Sequence, residues 1–107
     1  MYRESDLAYL AGIMDGEGTF YCPSPKNGRG VRYKQPRMCF VQSAQNNGLE
    51  LCQWAKDRFT GNISKQPMPN GTVMYRWQLA GEKAVMLAKH VEGYLIVKKD
   101  QVKRVLH

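Results

Sequence analysis

The apolar residues near the start of the chain repeat with the spacing of a helix. The spacing i, i+3, i+4 and i+7 fits one helix face, formed by Leu7, Leu10, Ala11 and Met14. Ser5 or Asp6 is expected to cap this helix, because short polar side chains accept hydrogen bonds from the first free N–H groups. The pattern therefore predicts a first helix that ends near Gly16.

A second face of the same helix is also apolar or small, and it contains Tyr9, Gly12 and Ile13. A helix that is apolar on two sides must be buried on two sides, which a small chain rarely achieves alone. Small residues there also let another backbone come close. We therefore expect contact with another copy of the chain, through Ala8, Tyr9, Ala11, Gly12, Ile13 and Asp15. The alternative is a central helix wrapped by its own domain.

After Gly16 the pattern changes from a helical period to alternation, and a strand-strand-helix order then occurs twice. Pro and Gly mark the turns PSPKNGRG and PNG within the two strand pairs. The predicted elements are strands 18–24 and 32–45, helix 46–59, strands 62–68 and 72–80, a helix with Ala84, Leu87, Ala88 and Val91 on one side, and a last helix over 98–106.

This order of elements predicts an α+β fold. Two strand pairs separated by helices favour one antiparallel sheet with helices on one face, and 107 residues suffice for one domain, residues 1–107, but not for two cores. The other sheet face must then meet water or a ligand. Alternation puts Arg76, Gln78, Ser64 and Gln66 on that open face, whereas strand 32–45 is ambiguous because apolar residues occupy both parities.

Composition and charge narrow the choice of partner. The chain has 16 Lys and Arg against 9 Asp and Glu, a formal charge of +7, which favours nucleic acid ahead of an anionic membrane surface. Hydrophobic residues make up 43% of the chain, yet no apolar run approaches the roughly 20 residues that span a bilayer. The amino-terminal residues do not resemble a secretory signal. An intracellular protein without a membrane partner is expected.

The cysteines and histidines lack the spacing of a metal site. Cys22, Cys39 and Cys52 are odd in number and widely separated in apolar surroundings, unlike paired zinc ligands, so we expect reduced core residues. His90 and His107 are far apart, and neither has a second ligand at metal spacing. A surface histidine and a tail residue are expected.

Two acids among glycines follow the first helix, in the stretch DGEG. Glu17 lies just past a helix end, where the helix dipole and the neighbouring Asp15 disfavour negative charge, so this carboxylate needs a cation. Gly16 and Gly18 let backbone carbonyls approach a metal, and such hard oxygen ligands suit Mg²⁺. Two helices packed across a two-fold axis would pair two Glu17 sites for phosphodiester hydrolysis. The alternative is a turn with an ordinary surface acid.

The residues LAGIMDGEG at 10–18 resemble the signature of the LAGLIDADG homing endonucleases. The spacing, the glycines and the second acid match, although Ile-Met replaces a Leu-Ile pair, Gly16 replaces Ala and Glu17 replaces Asp. The similarity covers nearly the whole chain, because the predicted order is that family's αββαββα core and YLIVKKDQ at 94–101 is similar to its carboxy-terminal block. The resemblance implies a saddle-shaped sheet that lies over the DNA major groove.

The resemblance also implies roles for individual residues. Glu17 corresponds to the metal-binding acid, with the Gly16 carbonyl as a neighbouring ligand, for Mg²⁺ or Mn²⁺. Asp15 corresponds to a mainly structural acid at the helix end. Lys98 corresponds to a basic active-site residue that steadies the phosphate or a solvent network, and Gln45 to a polar residue that positions water. The alternative for Lys98 is one more solvated cation on an amphipathic helix.

A single signature implies a homodimer that cuts both strands of a long, nearly palindromic DNA target and leaves cohesive 3′ ends. The residues expected to contact DNA are Tyr21, Lys26, Arg29, Arg32, Lys34, Arg37, Gln42, Ser64, Gln66, Arg76 and Gln78. The alternatives are a maturase for the host intron's RNA or a non-cleaving DNA-binding module on the same fold, and a protein-interaction domain. The implied compartment is a bacterial or phage cytoplasm or an organelle.

Overall fold

The computed structural model describes residues 2–106, so the expectation for His107 lies outside the described residues. Within that range the chain forms an α+β fold with one antiparallel sheet, in the strand order β1-β2-β4-β3, which confirms the predicted class. The elements are α1 (Glu4–Glu17), β1 (Gly18–Tyr21), β2 (Arg37–Ser43), α2 (Gly48–Phe59), β3 (Asn62–Pro67), β4 (Val73–Ala80), α3 (Glu82–Val91) and α4 (Lys99–Leu106).

The core lies between the helices and one face of the sheet. α2 packs on the central strands β2 and β4, α4 packs on β1, and α1 packs on β2 and α3. The largest buried side chains from the sheet are Phe20, Phe40 and Trp77. The ring centroids of Phe40 and Trp77 are 5.3 Å apart, so the two central strands share one aromatic layer.

Strand β2 is apolar at both parities, and pairing with β4 decides which side enters the core. Met38 and Phe40 are opposite Leu79 and Trp77, whose side chains belong to the core cluster. Cys39 and Val41 therefore point to the open face. Cys39 is buried but lies outside the core cluster, and Cys22 is only half-buried, so the expectation of three core cysteines holds for Cys52 alone.

The first helix begins earlier than its predicted caps. α1 starts at Glu4, and its amino-terminal cap is Arg3, which makes no capping side-chain hydrogen bond. The prediction of Ser5 or Asp6 as the cap is therefore wrong. Asp6 instead pairs with Arg58 of α2 at 3.3 Å, which joins the two helices.

The first strand ends earlier and the second begins later than predicted because of the prolines between them, and the second ends at Ser43, where a 3-10 turn begins. Pro23, Pro25 and Pro36 have no N–H group to donate to a strand ladder, so regular pairing ends at Tyr21 and resumes at Arg37. The intervening residues form a ribbon instead, with a bridge between Lys26 and Arg32. We call residues 22–36 the β1–β2 ribbon.

Across the described residues, none of the helices combines the length and the apolar character required to cross a membrane.

Candidate active site and nucleic-acid interface

Glu17 is the last residue of α1, and the chain enters β1 directly after it. A continued helix would direct the N–H of Phe20 to the carbonyl of Gly16, but this N–H donates to Gln101 Oε1 at 2.8 Å. Because α1 ends at Glu17, the Gly16 carbonyl has no helical N–H donor four residues later. Gly18 makes the turn possible, since a Cβ there would lie 2.5 Å from the Met14 sulfur. Sequence reasoning missed Gln101, whose side chain accepts a backbone N–H of the edge strand β1 from 81 residues away.

The Glu17 carboxylate is exposed, and a glutamine from β2 contacts it. Gln42 Nε2 donates to both carboxylate oxygens, at 3.1 Å and 2.9 Å. In the sheet register Gln42 is opposite Tyr75, and its neighbour Val41 is opposite Arg76. Gln42 thus lies on the helix side of the sheet, so its assignment to base contacts with Arg76 does not fit its position. It belongs to the site around the Glu17 carboxylate, which we call the acidic site.

Asp15 holds the segment that leads into α4. Its Oδ2 accepts the N–H of Ile96 at 2.8 Å, and its Oδ1 accepts those of Val97 and Lys98 at 3.1 Å and 3.0 Å. Burial alone would raise the pKa of Asp15, but these three N–H donors and the charge of Lys98 outweigh it and lower the pKa below its usual value. Asp15 therefore stays ionised and serves its own protomer's structure.

Lys98 lies beside the acidic turn, residues 16–18, whereas Gln45 lies three residues after Gln42, in the turn that follows β2. The Lys98 ammonium donates to the carbonyl of Gly18, the residue next to Glu17. Gln45 lies in a 3-10 turn, Ala44–Asn46, where its backbone N–H donates to Ser43 Oγ at 3.2 Å. The structure thus joins Lys98 to the Glu17 turn, and it puts the amide of Gln42, not that of Gln45, on the acid.

The second face of α1 is exposed at Ala8, Tyr9 and Gly12, but not at Ala11 or Ile13. Tyr9 is 57% exposed and stacks edge-on against Trp54 of α2, with ring centroids 4.9 Å apart. Ala8 and Gly12 are exposed and Ile13 is half-buried, but Ala11 is fully buried in the protomer's own core. Ala11 therefore cannot offer its side chain to a partner, because it lies on the core face. The face borders a groove of about 450 Å³ that ends at Glu17 and Gln42.

The open face of the sheet carries polar and basic side chains in rows across the strands. One row contains Val41, Arg76 and Ser64, and the next contains Cys39, Gln78 and Asn62. Tyr21, Arg37 and Gln66 lie on the same face by register. Within residues 2–106 the guanidinium groups of Arg37 and Arg76 form no ion pair. The Arg37 guanidinium donates to Gln35 Oε1, and the Nε atoms of Arg37 and Arg76 are buried without a hydrogen-bond partner among these residues.

The pKa of Cys39 is affected by the positive charges near the open face. Burial raises its pKa, while the positive charges of Arg76, Lys98 and Arg37 lower it in part. Three cations therefore lie around one strand position, close to the end of α1.

The β1–β2 ribbon extends the basic surface beyond the sheet. The side chain of Asn27 accepts the N–H groups of Arg29 and Val31, at 2.8 Å and 3.1 Å, which fixes the ribbon's tip. The tip requires a positive φ of +77° at Gly30. The four expected DNA-contacting cations of the ribbon are all exposed: Lys26, Arg29, Arg32 and Lys34.

The acidic site offers few protein ligands to a metal ion. No group of three or more His, Cys, Asp or Glu side chains forms a metal site among residues 2–106. One exposed carboxylate, Glu17, and one carbonyl without a helical donor, Gly16, are present. This small set of hard oxygen ligands fits Mg²⁺, which keeps several waters and binds through one or two carboxylates together with substrate phosphates.

Solved structures with a similar fold are homing endonucleases. I-CvuI in complex with its target, in the presence of Ca, has a TM-score of 0.76 and 17% identity, over 92% of this chain and 62% of that chain. The archaeal intron-encoded I-Vdi141I, complexed with DNA, has a TM-score of 0.70 and 20% identity, over 94% and 64% of the two chains. The LAGLIDADG homing endonuclease I-GzeII, in complex with its DNA target, has a TM-score of 0.66 and 20% identity, over 87% of this chain and 31% of that chain.

These comparisons establish the fold of the chain, which is that of the LAGLIDADG homing endonucleases. The chain spans 62% of the length of I-CvuI. Neither family models nor curated proteins gave a match to the sequence.

Proposed function

We propose that this chain is a site-specific double-strand DNA endonuclease that acts as a homodimer and uses a divalent metal ion. The position of Glu17 carries the proposal. Its carboxylate lies at the end of the exposed face of α1 and at the start of β1. If this face of α1 packs against the same face of a second protomer, the two Glu17 side chains would lie at the centre of a surface formed by two sheets.

The open sheet face and the β1–β2 ribbon support DNA as the substrate. Arg37 and Arg76 lie on a face with amide and hydroxyl side chains, which are the groups that read base edges. The ribbon's exposed cations suit phosphate contacts, which position a protein on DNA and make binding salt-dependent. Structures of this fold include complexes with DNA, which supports the same substrate here.

The acidic turn supports metal-assisted hydrolysis. Glu17 and the Gly16 carbonyl would hold Mg²⁺ or Mn²⁺, which when bound lowers the pKa of water and stabilises charge on the phosphate oxygens. Lys98 is tied to the next residue, Gly18, so its positive charge stays beside the same turn. Asp15 keeps this arrangement in place by binding the segment that carries Lys98.

Two cuts in opposite strands need two acids, and a protomer supplies one. The α1 face of exposed Ala8, Tyr9 and Gly12 and half-buried Ile13 is the surface that would bring two copies together. A Cβ added at Gly12 meets nothing within 4 Å in the protomer. The glycine is thus not needed for the protomer's own packing, which supports close approach by a second chain.

Cleavage of a plasmid tests the proposal. A supercoiled plasmid carries the expected insertion site, made by joining the two DNA segments on either side of the intron or other inserted element that contains the gene, and is incubated with protein and Mg²⁺. We expect the wild type to linearise it and Glu17→Gln to leave it intact, because the amide cannot replace the carboxylate as a metal ligand. Glu50→Gln, at an exposed acid of α2, is the matched control and should cleave like the wild type.

Other outcomes separate the alternatives. A wild type that binds the plasmid tightly in Ca²⁺ but never cuts it in Mg²⁺ would contradict the nuclease and support a non-cleaving DNA-binding module. Binding to the intron's RNA in preference to the joined flanks would instead support a maturase. If the protein binds neither nucleic acid, the proposal fails altogether.

A further inference from the structure

The amide of Gln42 has a fixed orientation. Its Oε1 accepts the N–H of Ser43 at 2.8 Å, which leaves Nε2 to face Glu17. The reversed amide would put an oxygen against the carboxylate oxygens and would lose both donors. Only one orientation therefore satisfies both neighbours, and it directs Nε2 to the acid, within hydrogen-bond distance of both carboxylate oxygens.

The backbone of Gln42 is also fixed, from two sides. It pairs with Tyr75 of β4 on one side. On the other side α2 begins against it, since a Cβ added at Gly48 would lie 2.4 Å from the Gln42 carbonyl oxygen. The donor that holds Glu17 is thus anchored to the sheet and to a helix, whereas Glu17 itself is an exposed side chain at a helix end.

We propose that Gln42 is the positioning residue of Glu17: it holds the carboxylate in one orientation and thereby increases the affinity of the site for a divalent cation. This inference rests on the proposed function, because it presupposes that Glu17 is the metal ligand. A carboxylate has about four acceptor positions, and one amide group occupies part of them. The remaining lone pairs stay available to a cation.

The expected gain in cation affinity comes from immobilisation of the Glu17 side chain before the cation binds. A free glutamate side chain loses rotamer freedom when it binds an ion, and prior immobilisation removes that cost. Hydrogen-bond partners of metal ligands in other proteins typically change metal affinity by about 10- to 100-fold when they are removed. We expect a loss of about tenfold here, at the lower end, because Glu17 is exposed.

The contact itself can be tested without any metal or DNA. In a ¹H–¹⁵N spectrum of the wild type, the side-chain NH₂ pair of Gln42 should be shifted from the position of a free amide. Glu17→Gln should move this pair towards the free position, and titration of the wild type with Mg²⁺ should move it as well. A Gln42 pair at the free-amide position that does not respond to Glu17→Gln overturns the inference.

The effect on affinity can be tested with Mn²⁺ alone. The free-ion EPR signal measures Mn²⁺ binding to the wild type, to Gln42→Leu and to Gln53→Leu. Gln53 lies on α2 and bonds only Asp57 by its side chain among the described contacts, so it is a matched control. We expect about tenfold weaker binding for Gln42→Leu and unchanged binding for Gln53→Leu. Equal binding by all three overturns the inference.

Glu17→Gln separates this inference from the proposed function. If it binds Mn²⁺ as well as the wild type, Glu17 is not a metal ligand and both proposals fail. If it loses binding while Gln42→Leu retains it, the metal site stands and the positioning role fails. Thermal unfolding by circular dichroism checks that the variants fold, and the NMR test does not depend on Gln42→Leu.

Discussion

Asp15 and Glu17 are two residues apart on α1, but their carboxylates have different partners. Asp15 accepts three backbone N–H groups from its own protomer, which use most of its acceptor capacity. Glu17 accepts one side-chain amide and remains exposed. The first acid is therefore suited to holding structure and the second to binding a ligand.

The role of Asp15 predicts how stability depends on pH. Its pKa is lowered in the folded state because the three N–H donors outweigh burial, so its contribution is fully present above the unfolded-state pKa. This contribution is lost as the pH falls through the lower, folded-state pKa. Asp15→Asn should reduce the free energy of unfolding at pH 7 by about 1 to 2 kcal/mol, since an amide cannot accept the same donors with a full charge.

Urea unfolding from pH 7 down to pH 3 measures this effect. The difference in stability between wild type and Asp15→Asn should shrink towards pH 3. Asp57→Asn is the control, because Asp57 is exposed and accepts a side-chain hydrogen bond from Gln53. A constant difference between wild type and Asp15→Asn at every pH would show that the charge of Asp15 does not contribute.

The hydrogen bond between Gln42 and Glu17 could not be predicted from the sequence. The motif identified Glu17 from its neighbours, because helix end, acid and glycines are contiguous. Gln42 and Gln101 are distant in sequence, and their roles depend on strand register and on how α4 covers β1. A one-residue shift in strand two would have moved Gln42 to the open face, so its sequence position alone could not decide.

At the scale of elements, helices were easier to predict than strand ends. The face of α3 repeats with a clear helical period, and all four residues predicted for it are buried. Strand two is apolar on both sides, since Cys39 and Val41 alternate with Met38 and Phe40 along it. Its period therefore carries no information about which side enters the core, and pairing with β4 decides it.

The exposed face of α1 predicts a dimer that Gly12→Leu should disrupt. Each added side chain would intrude between two backbones, whereas the protomer has open space at this position. The protomer should fold with unchanged or higher stability, because leucine is a better helix former than glycine by about 0.8 kcal/mol. Sedimentation velocity over a range of concentrations should show a wild-type dimer and a Gly12→Leu monomer.

Lys89→Leu is the control for Gly12→Leu, since it adds an apolar side chain to the exposed surface of α3. It should leave the dimer unchanged. A dimer that survives Gly12→Leu with the same dissociation constant would place the interface elsewhere on the protomer. A wild type that is monomeric at all concentrations would contradict the paired acids of the proposed enzyme.

For the whole molecule, the Lys and Arg residues expected to contact DNA lie on two different surfaces. One set of cations lies on the open sheet face, where strand pairing holds Arg37 and Arg76 at fixed spacing. The other set lies on the β1–β2 ribbon, where Lys26 and Arg29 are exposed. Side chains at fixed spacing suit the discrimination of bases, and exposed cations suit attraction to phosphates.

This division predicts different outcomes for two alanine substitutions. Arg76→Ala should relax the preference at particular base pairs, at a cost of about 1 to 3 kcal/mol if its contact with a base is bidentate. Lys26→Ala should weaken binding to all sequences alike, and it should reduce the slope of log affinity against log salt by about 1 for a lost phosphate contact. Binding is measured in Ca²⁺ against the joined flanking DNA and against copies with one base pair changed at a time. Uniform weakening by Arg76→Ala would assign this residue to phosphate, because a phosphate contact contributes equally to every base sequence.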